Sequence, residues 1–220
     1  PSELSVAVAQ KGVVRYDVTV HGESSHSGRP DEGRNAIHGM QRVLDRLEAF
    51  DNNLRSETDH PLLRPETLTV TMIDGGIAEN VVPPEARIHV DWRVHPGPAD
   101  PEPYDTAIED VVGEITVDGA RLNVDVERNR YLRGAEIPED APLVQALRGA
   151  ADSIGLQTET SGFDAVTDAR FFIHEAEIPT VVCGPGSITD DAHTVDESVA
   201  VSDLKRTVDL YMVTLKRLLG

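Results

Sequence analysis

The stretch VVRYDVTVHGESSHSGRPDEGRNAIHGMQRVLDRLEAF, residues 13–50, changes its hydrophobic period partway along. Over 13–20, Val14, Tyr16, Val18 and Val20 alternate with Arg15, Asp17 and Thr19. Side chains along a strand point to opposite faces in turn, so this alternation predicts a half-buried strand. Ala36, Ile37, Met40, Val43, Leu44, Leu47 and Phe50 follow helical spacing instead. Pro30 and Asp31 suit the start of a helix over 31–50. Downstream, alternation returns at Leu68, Val70 and Met72, and again at Ile88, Val90, Trp92 and Val94 after the turn-rich GGIAENVVPPE. A helix is expected near 102–116 and a last alternating strand at Leu122, Val124 and Val126. The order strand, helix, strand, strand, helix, strand predicts a ferredoxin-like βαββαβ sandwich, with both helices on one face of an antiparallel sheet.

Beyond it the pattern differs. Helices are expected over 141–154, 165–175 and 202–219, the last capped by Ser202, with strands near 156–160 and at IPTVVCG (178–184). Two strands cannot bury the faces of three helices, so part of an α/β domain is expected to be missing. The division read from this is 1–12 as the end of a first catalytic segment, 13–128 as an inserted domain, and 129–220 as the C-terminal part of the α/β domain. Residues 51–66 read as a polar loop and 129–140 as a hinge. The start without Met fits an excised or processed segment, or a removed tag.

The chain has 220 residues, 39 Asp plus Glu against 20 Lys plus Arg, and a net charge of −19. Dense carboxylates keep a protein soluble where salt screens their repulsion, and we read them as a halophile's; a moderately acidic cytosolic protein is the alternative. The balance argues against nucleic acid as a partner, since phosphate binding needs a basic face. No apolar run approaches a membrane span, and no secretory signal opens the chain. The single cysteine, Cys183, rules out an internal disulfide and suits a reducing cytoplasm; it reads as a small buried residue.

Four segments could carry chemistry. His26 sits in a small-residue loop between strand and helix, exposed, where an imidazole can donate to a developing oxyanion or simply face solvent. His21 and His38 nearby are expected to have no function. Asn80 precedes paired prolines that force a defined turn, and Arg93 shares the polar face of its strand with His89 and Asp91. That face could be merely solvated, or Arg93 could fork a carboxylate. Thr167 and Arg170 fall where a strand meets a helix, a place for anion contact or for a plain N-cap. His193 lies in a polar loop beyond a buried strand, among Asp190, Asp191, Asp196 and Glu197. No HxxxH, HExxH or CxxC spacing occurs, so any metal would need ligands from elsewhere.

Taken together and in this order, the AQKG opening, the SSHSGRP loop, the GGIAENVVP turn and the GPG…AH…DE tail resemble the dinuclear zinc family of aminoacylases, acetylornithine deacetylases, succinyl-diaminopimelate desuccinylases and carboxypeptidase G. The resemblance implies an α/β catalytic domain interrupted by a lid that makes a homodimer. It implies two zinc ions, with cobalt or manganese as possible substitutes, and an N-acyl amino acid as substrate. By it, His193 matches a zinc ligand, and His26 matches the lid histidine that reaches across the dimer to polarise the scissile carbonyl. Asn80 and Arg93 match substrate contacts, and Thr167 and Arg170 lie in a segment resembling a substrate-contact loop. The family's HxD motif, bridging Asp, Glu-Glu pair and the acidic ligand before the Pro that matches Pro1 all precede this segment. The chain alone is therefore expected to be inactive. A non-catalytic dimerisation module, or a carboxypeptidase or dipeptidase, are the competing readings.

Overall fold

The computed structural model describes residues 2–187 and 196–220. In chain order the elements are β1 (Val6–Gln10), β2 (Gly12–His21), a 3-10 turn (Pro30–Glu32), α1 (Ala36–Glu57), β3 (Thr67–Gly75), β4 (Glu85–Val94) and α2 (Glu102–Val112). There follow β5 (Ile115–Val117), β6 (Ala120–Leu132), β7 (Ala135–Glu136), α3 (Pro142–Ser153), β8 (Thr160–Phe163), α4 (Ala169–His174) and α5 (Val201–Leu219).

The larger sheet has the order β3-β4-β2-β6-β5, and every pair in it is antiparallel. Alternation does what the sequence implied. Val14, Tyr16, Val18 and Val20 of β2, and Ile88, Val90, Trp92 and Val94 of β4, pack in one cluster with Met40, Val43 and Leu47 of α1 and Ile108 and Val112 of α2. Both helices thus cover one face, and the other keeps Arg15, Asp17, His89, Asp91 and Arg93. Gly39 lets α1 lie close on the sheet. A Cβ there would stand 2.6 Å from Leu122 Cδ1 and 2.7 Å from Val20 Cγ1.

Several boundaries differ from expectation, each for a local reason. The helix begins at Ala36, because Asn35 Oδ1 accepts the Ile37 N–H at 2.9 Å and caps it; Pro30 and Asp31 form a separate 3-10 turn. It runs on to Glu57 through the supposed loop, since Leu54 completes the buried stripe and Arg55 pairs with Asp51 one turn back. The second helix stops at Val112, where Gly113 turns left-handed at φ 48°; Asp118 (φ 50°) and Gly119 (φ 78°) then make the tight turn that adds β5 as a fifth strand.

The smaller sheet has the order β7-β1-β8, with β1 antiparallel to β7 and parallel to β8. The opening residues, read as the tail of a preceding segment, thus form its central strand. The strand expected near 156–160 lies at Thr160–Phe163, and the helix expected over 165–175 is the short α4. The run 178–184 is not a strand: Val182 makes only an isolated bridge to Ala7. β6 occupies the first part of the expected hinge and ends at Leu132. Ser202 is not the N-cap of α5; Ala200 holds that place without a side-chain bond.

α5 buries a face other than its apolar stripe. Thr207, Leu210 and Thr214 are its buried residues, and Leu210 packs with Val144, Leu147 and Ala150 of α3. Its apolar stripe, Val201, Leu204, Val208, Tyr211, Leu215 and Leu218, is exposed. Three short strands are too narrow to cover both sides of this helix. No described helix is long and apolar enough to cross a membrane.

Candidate functional site

The first pair of candidates comes together. Past the end of β2 the chain is zipped to the turn before β4. Val82 N–H donates to Ser25 O at 2.8 Å, Ser27 N–H donates to Asn80 O at 2.9 Å, and His26 bridges Val81. His26 and Asn80 are thus neighbours on one backbone frame, and both are exposed. His26 Nδ1 accepts the Gly28 N–H at 3.0 Å, so the neutral ring carries its proton on Nε2. That N–H is the group available for donation to an oxygen outside the chain. His21, at the strand end, instead pairs with Asp125 at 2.8 Å.

The remaining candidates lie at the other end of the sheet. Arg93 pairs across β2 with Val13, next to the crossing into the smaller sheet. From Glu85 to Arg93 is eight residues of antiparallel strand, or about 27 Å. Arg93 Nε meets Asp91 Oδ1 at 2.5 Å while Arg15 Nε takes Asp91 Oδ2 at 2.8 Å, so one carboxylate holds two guanidinium groups in place. Arg93 remains one-third exposed. Thr167 is held by Gln10, whose Oε1 accepts from Thr167 Oγ1 at 2.5 Å. Thr167 Oγ1 also accepts the Ala169 N–H at 3.2 Å, although the N-cap position of α4 itself is Asp168, which makes no side-chain capping bond. The Arg170 guanidinium lies 3.7 Å from the centre of the Phe171 ring.

Sequence reasoning missed what joins the two sheets. Gly12 and Gly134 cross so closely that a Cβ on Gly12 would stand 2.5 Å from Gly134 N. Lys11, one of only three lysines, is buried there and donates to Pro65 O at 2.6 Å, with Asp164 at 3.6 Å. Burial lowers its pKa, and Asp164 opposes the shift. Arg133 Nη1 donates to His174 Nδ1 at 3.3 Å, and His174 Nε2 to Gly134 O at 2.9 Å. The rarity of lysine was the one signal that could have marked Lys11. Cys183 is half-buried rather than buried as expected, and that burial still pushes its thiol up to about 11, in keeping with a packing role.

His193 lies outside the described residues. Among the described residues no group of three or more His, Cys, Asp or Glu side chains converges to hold a metal. The described part of the chain therefore does not by itself fit a metal pair.

His26 and Asn80 thus share one backbone frame past the end of β2, while Arg93 lies near the far end of β4 and is held by Asp91. The chain belongs to the M20 peptidase dimerisation-domain family, whose profile matches residues 8–120. It is 35% identical over 208 residues to an acetylornithine deacetylase of Myxococcus xanthus, covering 94% of this chain and 53% of that protein. It is 29% identical over 217 residues to a probable carboxypeptidase of Aspergillus flavus, covering 96% and 47%. The chain thus spans about half the length of the curated relatives it matches. In fold it is similar to the aminopeptidase PepT of Bacillus cereus, with TM-score 0.76 and 20% identity over all of this chain and 55% of that one.

Proposed function

We propose that this chain is the lid and C-terminal catalytic part of a metal-dependent amidohydrolase that removes an acyl group from an N-acyl amino acid. The observation that carries the reading is the pairing of His26 and Asn80 on one rigid frame, in a chain of the dimerisation-domain family. In the division we propose, 1–12 ends the first catalytic segment, 13–128 is the lid and 129–220 completes the catalytic domain. The substrate type is that of an acetylornithine deacetylase or a succinyl-diaminopimelate desuccinylase. The carboxypeptidases among the relatives favour a second reading, peptide-bond cleavage at a C-terminal residue.

The candidate residues divide the work in this scheme. His26 Nε2–H donates to the carbonyl oxygen as negative charge develops on it, and Asn80 orients the same group. Arg93 forks the substrate carboxylate, aided by the loop of Thr167 and Arg170. By the family resemblance His193 would be one ligand of a zinc pair whose other ligands would come from outside this chain, and such a metal would supply a polarised water. We place the enzyme in the cytoplasm on its single cysteine and in a halophile on its charge of −19.

The homodimer forms through the lid. β3 is an edge strand bearing exposed Met72 and Ile73, and Ile37 and Ile77 are exposed beside it. Ile37, Met40, Leu44 and Ile73 line a groove of about 320 Å³ there. An unpaired edge flanked by apolar residues suits a second copy. The exposed stripe of α5 suits the rest of the α/β layer. The test is a panel of N-acetyl and N-succinyl amino acids and dipeptides on the full-length polypeptide, with metal content measured alongside. Hydrolysis of none of them, or two tightly held metals in the 220-residue chain alone, defeats the proposal.

A further inference from the structure

We infer that Gln10 is a positioning residue for the loop that carries Thr167, and through it sets how tightly substrate is held. The inference rests on the reading of that loop as a substrate contact. Gln10 ends β1, the middle strand of the smaller sheet, and only 3% of it is exposed. A buried carboxamide must find partners for both its donor and its acceptor. Gln10 spends its whole fork on one residue. Its Nε2 donates to Thr167 O at 3.2 Å, and its Oε1 accepts the Thr167 N–H at 3.1 Å and the Thr167 hydroxyl at 2.5 Å.

This has a chemical consequence. The hydroxyl hydrogen of Thr167 is committed to Gln10, and one lone pair of Thr167 Oγ1 is committed to the Ala169 N–H. What Thr167 can offer a ligand is an acceptor in a fixed direction, not a donor. The next residue secures the other end of the loop: Lys11 N–H donates to Phe163 O at 3.0 Å, and Lys11 Nζ stands 3.6 Å from Asp164. Asp164 also accepts the Arg64 N–H at 3.1 Å. Residues 164–168 are therefore pinned at both ends by the Gln10–Lys11 pair. α4 and Arg170 follow directly from them.

The experiment pairs two readouts. On the 220-residue chain, amide exchange in Gln10→Ala should accelerate at Thr167 by at least about tenfold while Val90 in β4 keeps its protection. In the full-length polypeptide the same variant should raise KM about tenfold with kcat nearly unchanged, the pattern of a lost ground-state contact. Gln10→Glu supplies a signature that general destabilisation does not. A carboxylate cannot donate to Thr167 O, but a protonated carboxyl reproduces the donor–acceptor pair of the amide. Burial raises the pKa of such a group above its usual ~4.3, so the KM defect of Gln10→Glu should narrow as pH falls toward about 5.5. Unchanged exchange at Thr167, or a pH-independent defect in Gln10→Glu, overturns the inference. So does a KM defect in Thr167→Val that Gln10→Ala lacks. Accelerated exchange with normal KM in both Gln10→Ala and Thr167→Val keeps the Gln10–Thr167 link and instead removes the loop from the substrate site.

Discussion

If the two ends of the lid serve different active sites, inactive variants should repair one another. His26 lies beyond the Glu85 end of β4 and Arg93 near its other end, and the strand from Glu85 to Arg93 alone spans about 27 Å. A small N-acyl amino acid bound at Arg93 would therefore need its oxyanion donor from another copy of the lid. In a homodimer one site would take Arg93 from its own chain and His26 from the partner subunit. His26→Ala should lower kcat roughly 100- to 1000-fold, as loss of one oxyanion donor does. Arg93→Ala should fail at low substrate. When the two variants are mixed and allowed to exchange subunits, about half of the dimers are mixed. Each mixed dimer has one site with both residues intact and one with neither, so activity should climb to about a quarter of the unsubstituted level. The assay is hydrolysis at subsaturating substrate before and after subunit exchange in the full-length protein. Activity that stays at the level of the separate variants, with exchange demonstrated by mass, would place His26 and Arg93 in the same site and refute the argument.

Other expectations are simpler. Arg93→Ala should raise KM for carboxylate-bearing substrates far more than it lowers kcat, because the carboxylate is present in ground and transition states alike; steady-state kinetics decide it. Ile73→Asp places a charge on the exposed β3 edge, and sedimentation should show monomer where the unsubstituted chain dimerises. Leu47, 1% exposed in the larger core, should cost about 2–5 kcal/mol when cut to Ala; urea unfolding followed by Trp92, the single tryptophan, reads this directly. With its thiol pushed up to about 11, Cys183 should alkylate at pH 8 far more slowly than free cysteine, and a rate like that of the free thiol would contradict its burial.

Much of the larger domain was legible because its signal is local. Alternation in residues 13–20 and 88–94 and the stripe from Ala36 to Leu47 each specify one buried face, and only one arrangement buries them all together. Boundaries were less legible. Asn35 caps α1 only because the chain before it turns away in its own 3-10 turn. The Asp118-Gly119 turn carried a readable hairpin signal that the expected length of α2 obscured.

The sequence by itself determined the fold of the larger domain, the exposure of His26 and the polar face of β4, since each depends on residues close in the chain. Tertiary structure decided where those residues lie relative to one another. Asn80 reaches His26 through backbone bonds between segments more than fifty residues apart, and Gln10 reaches Thr167 across 157. It also parted His26 from Arg93 to opposite ends of the sheet and turned the apolar stripe of α5 outward. None of these follows from periodicity. A hydrophobic pattern states that a face must be covered, whereas the partner that covers it is chosen by the geometry of the whole chain.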